Sequence, residues 1–227
     1  MKLILISADL EDIRSAYALG VFVGIASNPS LVAQAGLPSE AMVRRVLEIV
    51  PDPVFVQVTG LTAEGMIEEG RRLAEIDPQR VRVKVPVTAA GITAIHRLSK
   101  AEVTVTATAI CAANEALVAA QAGAAYLAPY MARIYDIGGN GCQVVGDIVE
   151  LVRHYDLPAE VIAASVRTPE ELMLAWKLGA DYAAIQSPVA WKICANPAVT
   201  AAAQAFHDDY TARFGERAGE TGARWNT

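Results

Sequence analysis

Short apolar runs alternate with longer stretches of helical period along this chain. The runs are rich in valine, isoleucine and alanine, which is typical of strands that are covered on both faces. Eight strands are predicted, at residues 2–6, 21–25, 53–58, 81–85, 102–107, 124–128, 161–165 and 182–186. Between them, segments such as TAEGMIEEGRRLAEI, TAAGITAIHRLS and QVVGDIVELVRHY repeat their apolar residues at helical spacing.

This strict alternation predicts a parallel sheet with helices packed on it. Eight strand-helix units favour a closed α/β structure, the (β/α)8 TIM barrel. An open doubly wound sheet is the alternative, but no GxGxxG or Walker loop follows a strand to mark a nucleotide crevice. The glycine-rich segment GGNGC at 138–142 has neither spacing, and we interpret it as a loop before a helix.

The end of the chain continues beyond the eighth strand. The segment PAVTAAAQAFHDDYTARFG predicts an additional C-terminal helix. A length of 227 residues suits a single barrel. We therefore expect one domain over residues 1–214, which includes the terminal helix, followed by a polar tail over 215–227.

Composition excludes several classes of function. The chain is 53% hydrophobic with few aromatic residues, as in soluble α/β proteins, and its net charge of -6 leaves no basic surface for nucleic acid. No apolar stretch is long enough to span a bilayer, and MKLILISADLED reaches acidic residues too early for a signal peptide. We expect a cytoplasmic protein that binds neither nucleic acid nor membrane.

The cysteines give no sign of a metal site. Cys111, Cys142 and Cys194 are odd in number and widely separated, with no CxxC pair and no histidine at ligand spacing. We interpret them as small hydrophobic side chains. The sequence therefore predicts no disulfide, no metal and no other cofactor.

One lysine lies inside a predicted strand. In VRVKV, alternation places Val81, Val83 and Val85 on one face and Arg82 and Lys84 on the other. A buried ammonium must be paired, reach water, or have a lowered pKa. The other four lysines lie at the amino terminus or on helical segments with a route to water. A neutral lysine can attack a carbonyl and form a Schiff base, which is the chemistry of a class I aldolase.

Polar residues also follow several other predicted strands. The carboxyl ends of barrel strands meet at one mouth, where the active sites of TIM barrels lie. Each such residue has a structural explanation when taken alone, as a cap, a turn residue or a solvated charge. Their joint placement indicates a shared site formed by Asn28, Gln57, Lys84, Thr108, Tyr130, Arg133, Ser165 and Arg167, with Thr108 just past the fifth strand.

Five segments together resemble one family. SNPS, QVTGLTAEGM, VKVPVTAAGITAI, AGAAYLAPYMARI and AASVRTP are similar to the fructose 6-phosphate aldolase branch of the transaldolase family. The resemblance implies a (β/α)8 barrel with Lys84 as the Schiff base lysine and Gln57, Thr108 and Tyr130 activating a water. Transaldolases proper usually carry glutamate and phenylalanine in place of Gln57 and Tyr130, so these two residues favour the aldolase branch.

The same resemblance implies the remaining binding residues and the assembly. Ser27 and Asn28 belong to the substrate-binding segment, and Arg133 with Ser165 would bind a substrate phosphate, with Arg167 as a further candidate. The substrates would be small ketoses or sugar phosphates. Family members form ring-shaped homo-oligomers, so we expect a homo-oligomer, with a decamer as one candidate.

Three positions depart from the family pattern. Ile6 stands where the family has an inward aspartate, Ala26 and Ser27 replace the two threonines of TTNPS, and Ala132 stands where asparagine is common. Loss of the aspartate removes a charge that would hold a donor hydroxyl. Ile6 and Ala26 make the donor end of the pocket more apolar.

Three functions stay open at this point. The first is a class I aldolase with an altered donor, less hydroxylated than dihydroxyacetone, acting on a phosphorylated or otherwise anionic aldehyde. The second is a transaldolase that moves a dihydroxyacetone unit between sugar phosphates. The third is a non-catalytic sugar-phosphate binder, although a binder has no need of a buried amine.

Overall fold

The computed structural model describes residues 1–215, which form two compact units, Met1–Ala190 and a second that starts at Trp191. The first unit contains a closed barrel of eight parallel strands in chain order, with β8 paired back to β1. The strands are β1 Lys2–Ile6, β2 Phe22–Ala26, β3 Val54–Gln57, β4 Val81–Pro86, β5 Val105–Ile110, β6 Tyr126–Pro129, β7 Glu160–Val166 and β8 Tyr182–Gln186.

Helices connect the strands. Residues 1–215 contain α1 Leu10–Tyr17, α2 Pro29–Ala35, α3 Ser39–Ile49, α4 Ala63–Ala74, α5 Ala89–Lys100, α6 Ala113–Gln121, α7 Met131–Asp136, α8 Gly141–His154, α9 Pro169–Leu178, α10 Ser187–Cys194 and α11 Pro197–Phe214. Threonine side chains cap three of them, since Thr62, Thr88 and Thr168 each accept a hydrogen bond from the backbone N–H three residues on. These caps fix where each helix leaves its strand.

The predicted TIM barrel is confirmed, and each of the eight predicted strands is present. Strands β1 and β8 have the predicted bounds, and the others differ by a few residues at their ends. One placement was wrong: Thr108 lies inside β5, which extends to Ile110, and does not follow the strand. The segment 138–142 leads into α8 as expected, because the Asn140 side chain caps that helix by accepting from Gln143 N–H.

Two apolar clusters hold the barrel together. The larger one lies between strands and helices and takes the outward side chains, such as Val81, Val83 and Val85 of β4. The smaller one fills the barrel interior with Ile4, Ala26, Phe55, Ala128, Ile162, Ala164 and Ala184. Alternation along each strand assigns the remaining inward positions to polar residues, and these form the site described below.

The second unit contains the predicted terminal helix as α11, whose apolar residues Val199, Phe206, Tyr210 and Phe214 are exposed. The expectation of a single domain over 1–214 stays a prediction. The predicted polar tail, apart from Gly215, lies outside the described residues. Within residues 1–215, no helix has the length and hydropathy needed to span a membrane.

Candidate active site

A cavity of about 200 Å³ opens at the carboxyl ends of the strands. Eight of the nine predicted site residues line it: Ser27, Asn28, Lys84, Thr108, Tyr130, Arg133, Ser165 and Arg167. The strand register explains why these side chains meet, because Gln57, Lys84 and Thr106 are register partners across β3, β4 and β5 and so share the face of the sheet that points into the barrel. The sequence-based expectation of one shared mouth therefore matches the structure.

Lys84 projects into this cavity from β4. Its Nζ donates a hydrogen bond to the carbonyl oxygen of Ser27 at 2.7 Å, and no carboxylate lies among the described residues that line the cavity. Burial, with a smaller contribution from the charge of Arg133, lowers the pKa of Lys84 to about 8. About a tenth of such an amine is neutral at pH 7, far more than for a solvated lysine.

Thr108 and Tyr130 lie together on the next two strands. The Thr108 hydroxyl is fully buried and donates to the Tyr130 hydroxyl over 3.3 Å. The guanidinium of Arg133 stacks over the Tyr130 ring at 4.8 Å from its centroid. This contact restrains the ring, since cation–π pairs of this kind are attractive at such distances. The two hydroxyls form a polar wall that is suited to hold a water or a substrate oxygen.

Gln57 is the predicted residue that the cavity lining does not include. It is the register partner of Lys84 on β3, and its Oε1 is buried with no hydrogen-bond partner within residues 1–215. A buried amide oxygen without a partner is unfavourable. Gln57 is therefore beside the lysine, with an acceptor that remains available.

Ser27 and Asn28 end the second strand. Asn28 caps α2, because its Oδ1 accepts a hydrogen bond from Leu31 N–H at 3.0 Å. Its amide nitrogen remains a donor at the cavity wall. The Ser27 side chain is buried, and its Oγ has no partner in the part of the chain that the structure describes.

The three predicted phosphate ligands differ in availability. Arg167 forms a bidentate ion pair with Asp136, at 2.8 and 2.6 Å, and this pair lowers the pKa of the Asp136 carboxyl. Arg133 is exposed and contacts the Tyr130 ring, with no ion pair found among residues 1–215. Ser165 has a φ of 60°, the left-handed region, at an irregularity in the pairing of β7 with β8. Such strain is frequent at binding sites, because the backbone is held for a purpose other than stability.

Thr106 is a cavity residue that was not predicted from the sequence. This residue is 1% exposed, lines the cavity, and its Oγ1 has no hydrogen-bond partner within the described chain. The signal was present in EVTVTATAI, where threonines alternate at 104, 106 and 108. Once Thr108 is assigned to the barrel interior, period two places Thr106 there as well.

The opposite wall is apolar. Ile6 and Ala26 are register partners on β1 and β2 and line the cavity beside Ser27, the residue that accepts from the lysine. Phe55, Ile162 and Ala184 continue this surface deeper in the barrel. A ligand on Lys84 therefore lies between an apolar wall and a wall of hydroxyls.

A partly buried lysine, adjacent hydroxyls and an arginine with no ion pair in the described chain thus lie together at the mouth of the barrel, where the enzymes of this fold class have their active sites. A family model described as "Transaldolase/Fructose-6-phosphate aldolase" matches residues 4–221. The chain belongs to this family and is an enzyme of the aldolase or transaldolase type.

Curated relatives agree with this assignment. A protein of Thermoanaerobacter named "Probable transaldolase" is 39% identical over 92% of this chain and 97% of its own length. A protein of Thermus thermophilus with the same name is 42% identical over 92% of this chain and 98% of its own length. These names do not distinguish an aldolase from a transaldolase.

Among solved structures, one described as a lactate oxidase of Pediococcus acidilactici has a TM-score of 0.58 and 15% sequence identity. The match covers 82% of this chain and 62% of the other. At this level of identity the similarity concerns the fold alone.

Proposed function

We propose that this protein is a class I aldolase of the fructose 6-phosphate aldolase type, with Lys84 as the nucleophile. The observation that carries the proposal is the amine itself, which is partly buried, has no carboxylate partner within residues 1–215 and is lowered in pKa to about 8. A structural lysine gains nothing from this placement, because desolvation of its charge is unfavourable. An amine that must attack a carbonyl benefits from the same desolvation, because it raises the fraction of the neutral, nucleophilic form.

The reaction begins when the neutral Lys84 Nζ attacks the carbonyl carbon of a ketone donor. Loss of water leaves an iminium, and departure of a proton from the adjacent carbon gives an enamine. The enamine carbon forms a bond to the carbonyl carbon of an aldehyde, whose oxygen takes up a proton. Water then adds to the iminium carbon and the carbon–nitrogen bond breaks, which releases the product and the free lysine. The reverse sequence cleaves a carbon–carbon bond.

Thr108, Tyr130 and Gln57 are placed to serve the steps that involve water. Thr108 already donates to Tyr130, so the Tyr130 hydroxyl can donate onwards to a water at the mouth. The free Oε1 of Gln57 lies on the other side of Lys84 and can accept from the same water. A held water favours hydrolysis of the iminium and hence release of the donor.

We further propose that the acceptor is a phosphorylated or otherwise anionic aldehyde. Arg133 provides a guanidinium with no ion pair in the described chain, and it lines the same cavity as Ser165, which provides a hydroxyl. Arg167 can join them only if its pair with Asp136 opens or accepts a further oxygen. Arginine and hydroxyl donors together suit phosphate oxygens.

A transaldolase is the second candidate, because the relatives carry that name. A transaldolase passes the donor unit from Lys84 to a second aldehyde, whereas an aldolase releases it to water. Fructose 6-phosphate cleavage with and without an added aldehyde separates the two. Release of dihydroxyacetone without an acceptor supports the aldolase, and turnover only with an acceptor supports the transaldolase.

The covalent step is tested by reduction with borohydride in the presence of dihydroxyacetone, hydroxyacetone or fructose 6-phosphate, followed by peptide mass spectrometry. We expect one adduct, on Lys84, while the other four lysines serve as internal controls. An unmodified Lys84 across this panel, in a protein that still binds sugar phosphates, would identify a non-catalytic binder instead.

We also propose that the chain forms a homo-oligomer. The exposed Phe206, Tyr210 and Phe214 of α11 support this, because apolar side chains clustered on one helix favour association. Sedimentation velocity measures the oligomeric state. A monomer at micromolar concentration would contradict the proposal.

A further inference from the structure

The walls of the cavity differ at the two depths where a donor on Lys84 must place its substituents. The mouth level contains Ile6 and Ala26, the last residues of β1 and β2, together with Thr108, and the deeper level contains Thr106, two residues earlier on β5. Two residues of a strand span about 7 Å. A three-carbon ketone bound through its central carbon therefore has one end at each level.

The deep end is closed. Around Thr106, whose register partner is Tyr126, the rings of Phe55, Tyr126 and Tyr182 pack edge to face, with centroids 5.4 and 6.0 Å apart. An acceptor aldehyde must therefore approach from the mouth. The donor carbon that forms the new bond is the one at the mouth level, and the other end of the donor stays deep and unreactive.

The deep end of the donor meets an unsatisfied hydroxyl. Thr106 is 1% exposed and its Oγ1 has no partner within residues 1–215, while Phe55, Ala128 and Ile162 at the same depth are apolar. A buried hydroxyl without a hydrogen bond is destabilising. A hydroxyl group on the donor is the complement that this position requires.

The mouth end of the donor meets an apolar surface on the β1 and β2 side, across the cavity from the hydroxyls of Thr108 and Tyr130, to which the proposed mechanism assigns the water. The Lys84 amine bonds to the Ser27 carbonyl, which places it next to Ala26 and the Ala26 register partner Ile6. No aspartate or glutamate lies among the described lining residues, and the Asn28 carbonyl oxygen is committed to Leu31. A hydroxyl on the reacting carbon would lose water against two apolar side chains.

Building on the Schiff base mechanism proposed above, we propose that the preferred donor is a hydroxymethyl ketone whose hydroxyl lies deep against Thr106 and whose reacting carbon carries no hydroxyl. Fructose 6-phosphate, whose C3 carries a hydroxyl, is then cleaved more slowly than its 3-deoxy analogue. With hydroxyacetone, the proton leaves the methyl carbon and that carbon attacks the aldehyde. Hydrolysis then releases a 2-ketose with a hydroxyl at C1 and a methylene at C3. Thr106 and Ile6 are the residues that determine this specificity.

Hydroxyacetone tests this directly, because its two ends give different products with glyceraldehyde 3-phosphate. NMR of the product distinguishes bond formation at the methyl carbon from bond formation at the hydroxymethyl carbon. We expect the methyl-carbon product in about tenfold excess or more, the effect of one unsatisfied hydroxyl. The hydroxymethyl-carbon product as the main one would overturn the inference and leave the Schiff base mechanism intact.

Variants of Ile6 and Thr106 test whether these two residues set the product ratio. Ile6→Asn adds a hydrogen-bonding group at the mouth and should move the product ratio about tenfold towards the hydroxymethyl carbon, whereas the apolar control Ile6→Val should not move it. Thr106→Val should weaken the preference for the methyl carbon, and Thr106→Ser should restore it. Removing an unpartnered hydroxyl should not lower the melting temperature of the ligand-free protein, so a lower melting temperature with an unchanged ratio would mean a structural role.

Borohydride trapping distinguishes failure of the donor assignment from failure of the proposed function. An adduct on Lys84 with hydroxyacetone but no product of either kind would overturn the donor assignment alone. No adduct with any ketone would overturn the proposed function, and the donor assignment with it.

Discussion

Both ends of the barrel interior contain polar residues, but the two ends differ in how many of the buried polar atoms have hydrogen-bond partners. At the amino-terminal end, Tyr182 donates to the Glu160 carboxylate at 3.3 Å, and Arg82 donates to the carbonyl oxygens of Gln79 and Val81. Among the described residues of that end, the Arg82 Nε alone is buried without a partner. In the site around Lys84, Ser27 Oγ, Gln57 Oε1 and Thr106 Oγ1 are all in that state.

Each unsatisfied buried group is unfavourable by about 1–3 kcal/mol. A barrel that accepts three of them around one lysine gives up more stability there than at the amino-terminal end, where Arg82 Nε is the one such atom among the described residues. Arg82 and Lys84, two residues apart on β4, show the contrast, because the Arg82 guanidinium donates to two backbone carbonyl oxygens, whereas Lys84 donates to one and has a lowered pKa. The presence of buried polar side chains therefore does not locate a site, whereas a cluster of buried polar atoms without hydrogen-bond partners does.

The largest expected effect comes from replacing the two cations of β4. Lys84→Met should abolish the borohydride adduct and lower kcat by about a thousandfold or more, because the nucleophile is gone. Arg82→Met should keep the adduct and lower the free energy of unfolding by about 1–3 kcal/mol, because it removes hydrogen bonds that tie β4 to the backbone. Trapping and urea unfolding measure the two effects. Loss of the adduct in both variants would break the comparison.

Lys84→Met should also stabilise the protein. The pKa falls from 10.5 to about 8 on folding, so the charged lysine destabilises the folded state by up to about 3 kcal/mol below pH 8. This penalty is relieved as the pH rises from 8 towards 10.5, because the folded state loses its proton first. The stability difference between variant and wild type should shrink over that window, and a difference that is independent of pH would contradict the lowered pKa.

The rate of adduct formation should follow the neutral amine. With a pKa of about 8, the neutral fraction rises nearly a hundredfold between pH 6 and pH 9 and then levels off. Stopped-flow measurement of iminium formation, or quenched borohydride trapping, gives the profile. A rate that still rises tenfold per pH unit above 9 would show that Lys84 titrates like a solvated lysine.

The next largest effect concerns the two arginines at the mouth. Arg133→Gln should raise KM for a phosphorylated aldehyde by about tenfold or more, because it removes a charge-assisted hydrogen bond. Arg167→Gln should have a smaller effect, because Asp136 already occupies that guanidinium. Steady-state kinetics with the phosphorylated and the unphosphorylated aldehyde separate phosphate binding from catalysis. Equal effects of the two variants would mean that the ion pair opens in the complex.

Arg133→Gln has a second readout. Its charge helps to lower the pKa of Lys84, so the midpoint of the adduct-formation profile should move to higher pH in this variant. Arg167→Gln serves as the matched control, because Arg167 does not contribute to that shift. A midpoint that stays in place in Arg133→Gln would mean that desolvation alone sets the pKa.

The fold and most of the candidate site could be predicted from the sequence, because both follow from alternating patterns along the chain. Alternation in VRVKV is enough to turn Lys84 inwards, and strict strand-helix alternation is enough to bring the strand ends to one mouth. What alternation does not reveal is which partners a polar side chain finds. The ion pair between Arg167 and Asp136 joins residues 31 positions apart, and the missing partner of Thr106 emerges only when the interior is packed.

The smallest expected effect tests the amino-terminal end by itself. Burial and the nearby Glu160 carboxylate raise the pKa of Tyr182, so its hydroxyl stays protonated and donates throughout the usual pH range. Tyr182→Phe keeps the ring that packs against Tyr126 and removes only that donor. The bond is long, so the free energy of unfolding should fall by about 1 kcal/mol or less. Thr106→Val removes a hydroxyl from the same interior, but one without a partner, and should not destabilise the ligand-free protein. If urea unfolding shows equal losses in the two variants, the hydroxyls of the two ends are equally satisfied, and the contrast between a stabilising end and a functional end no longer holds.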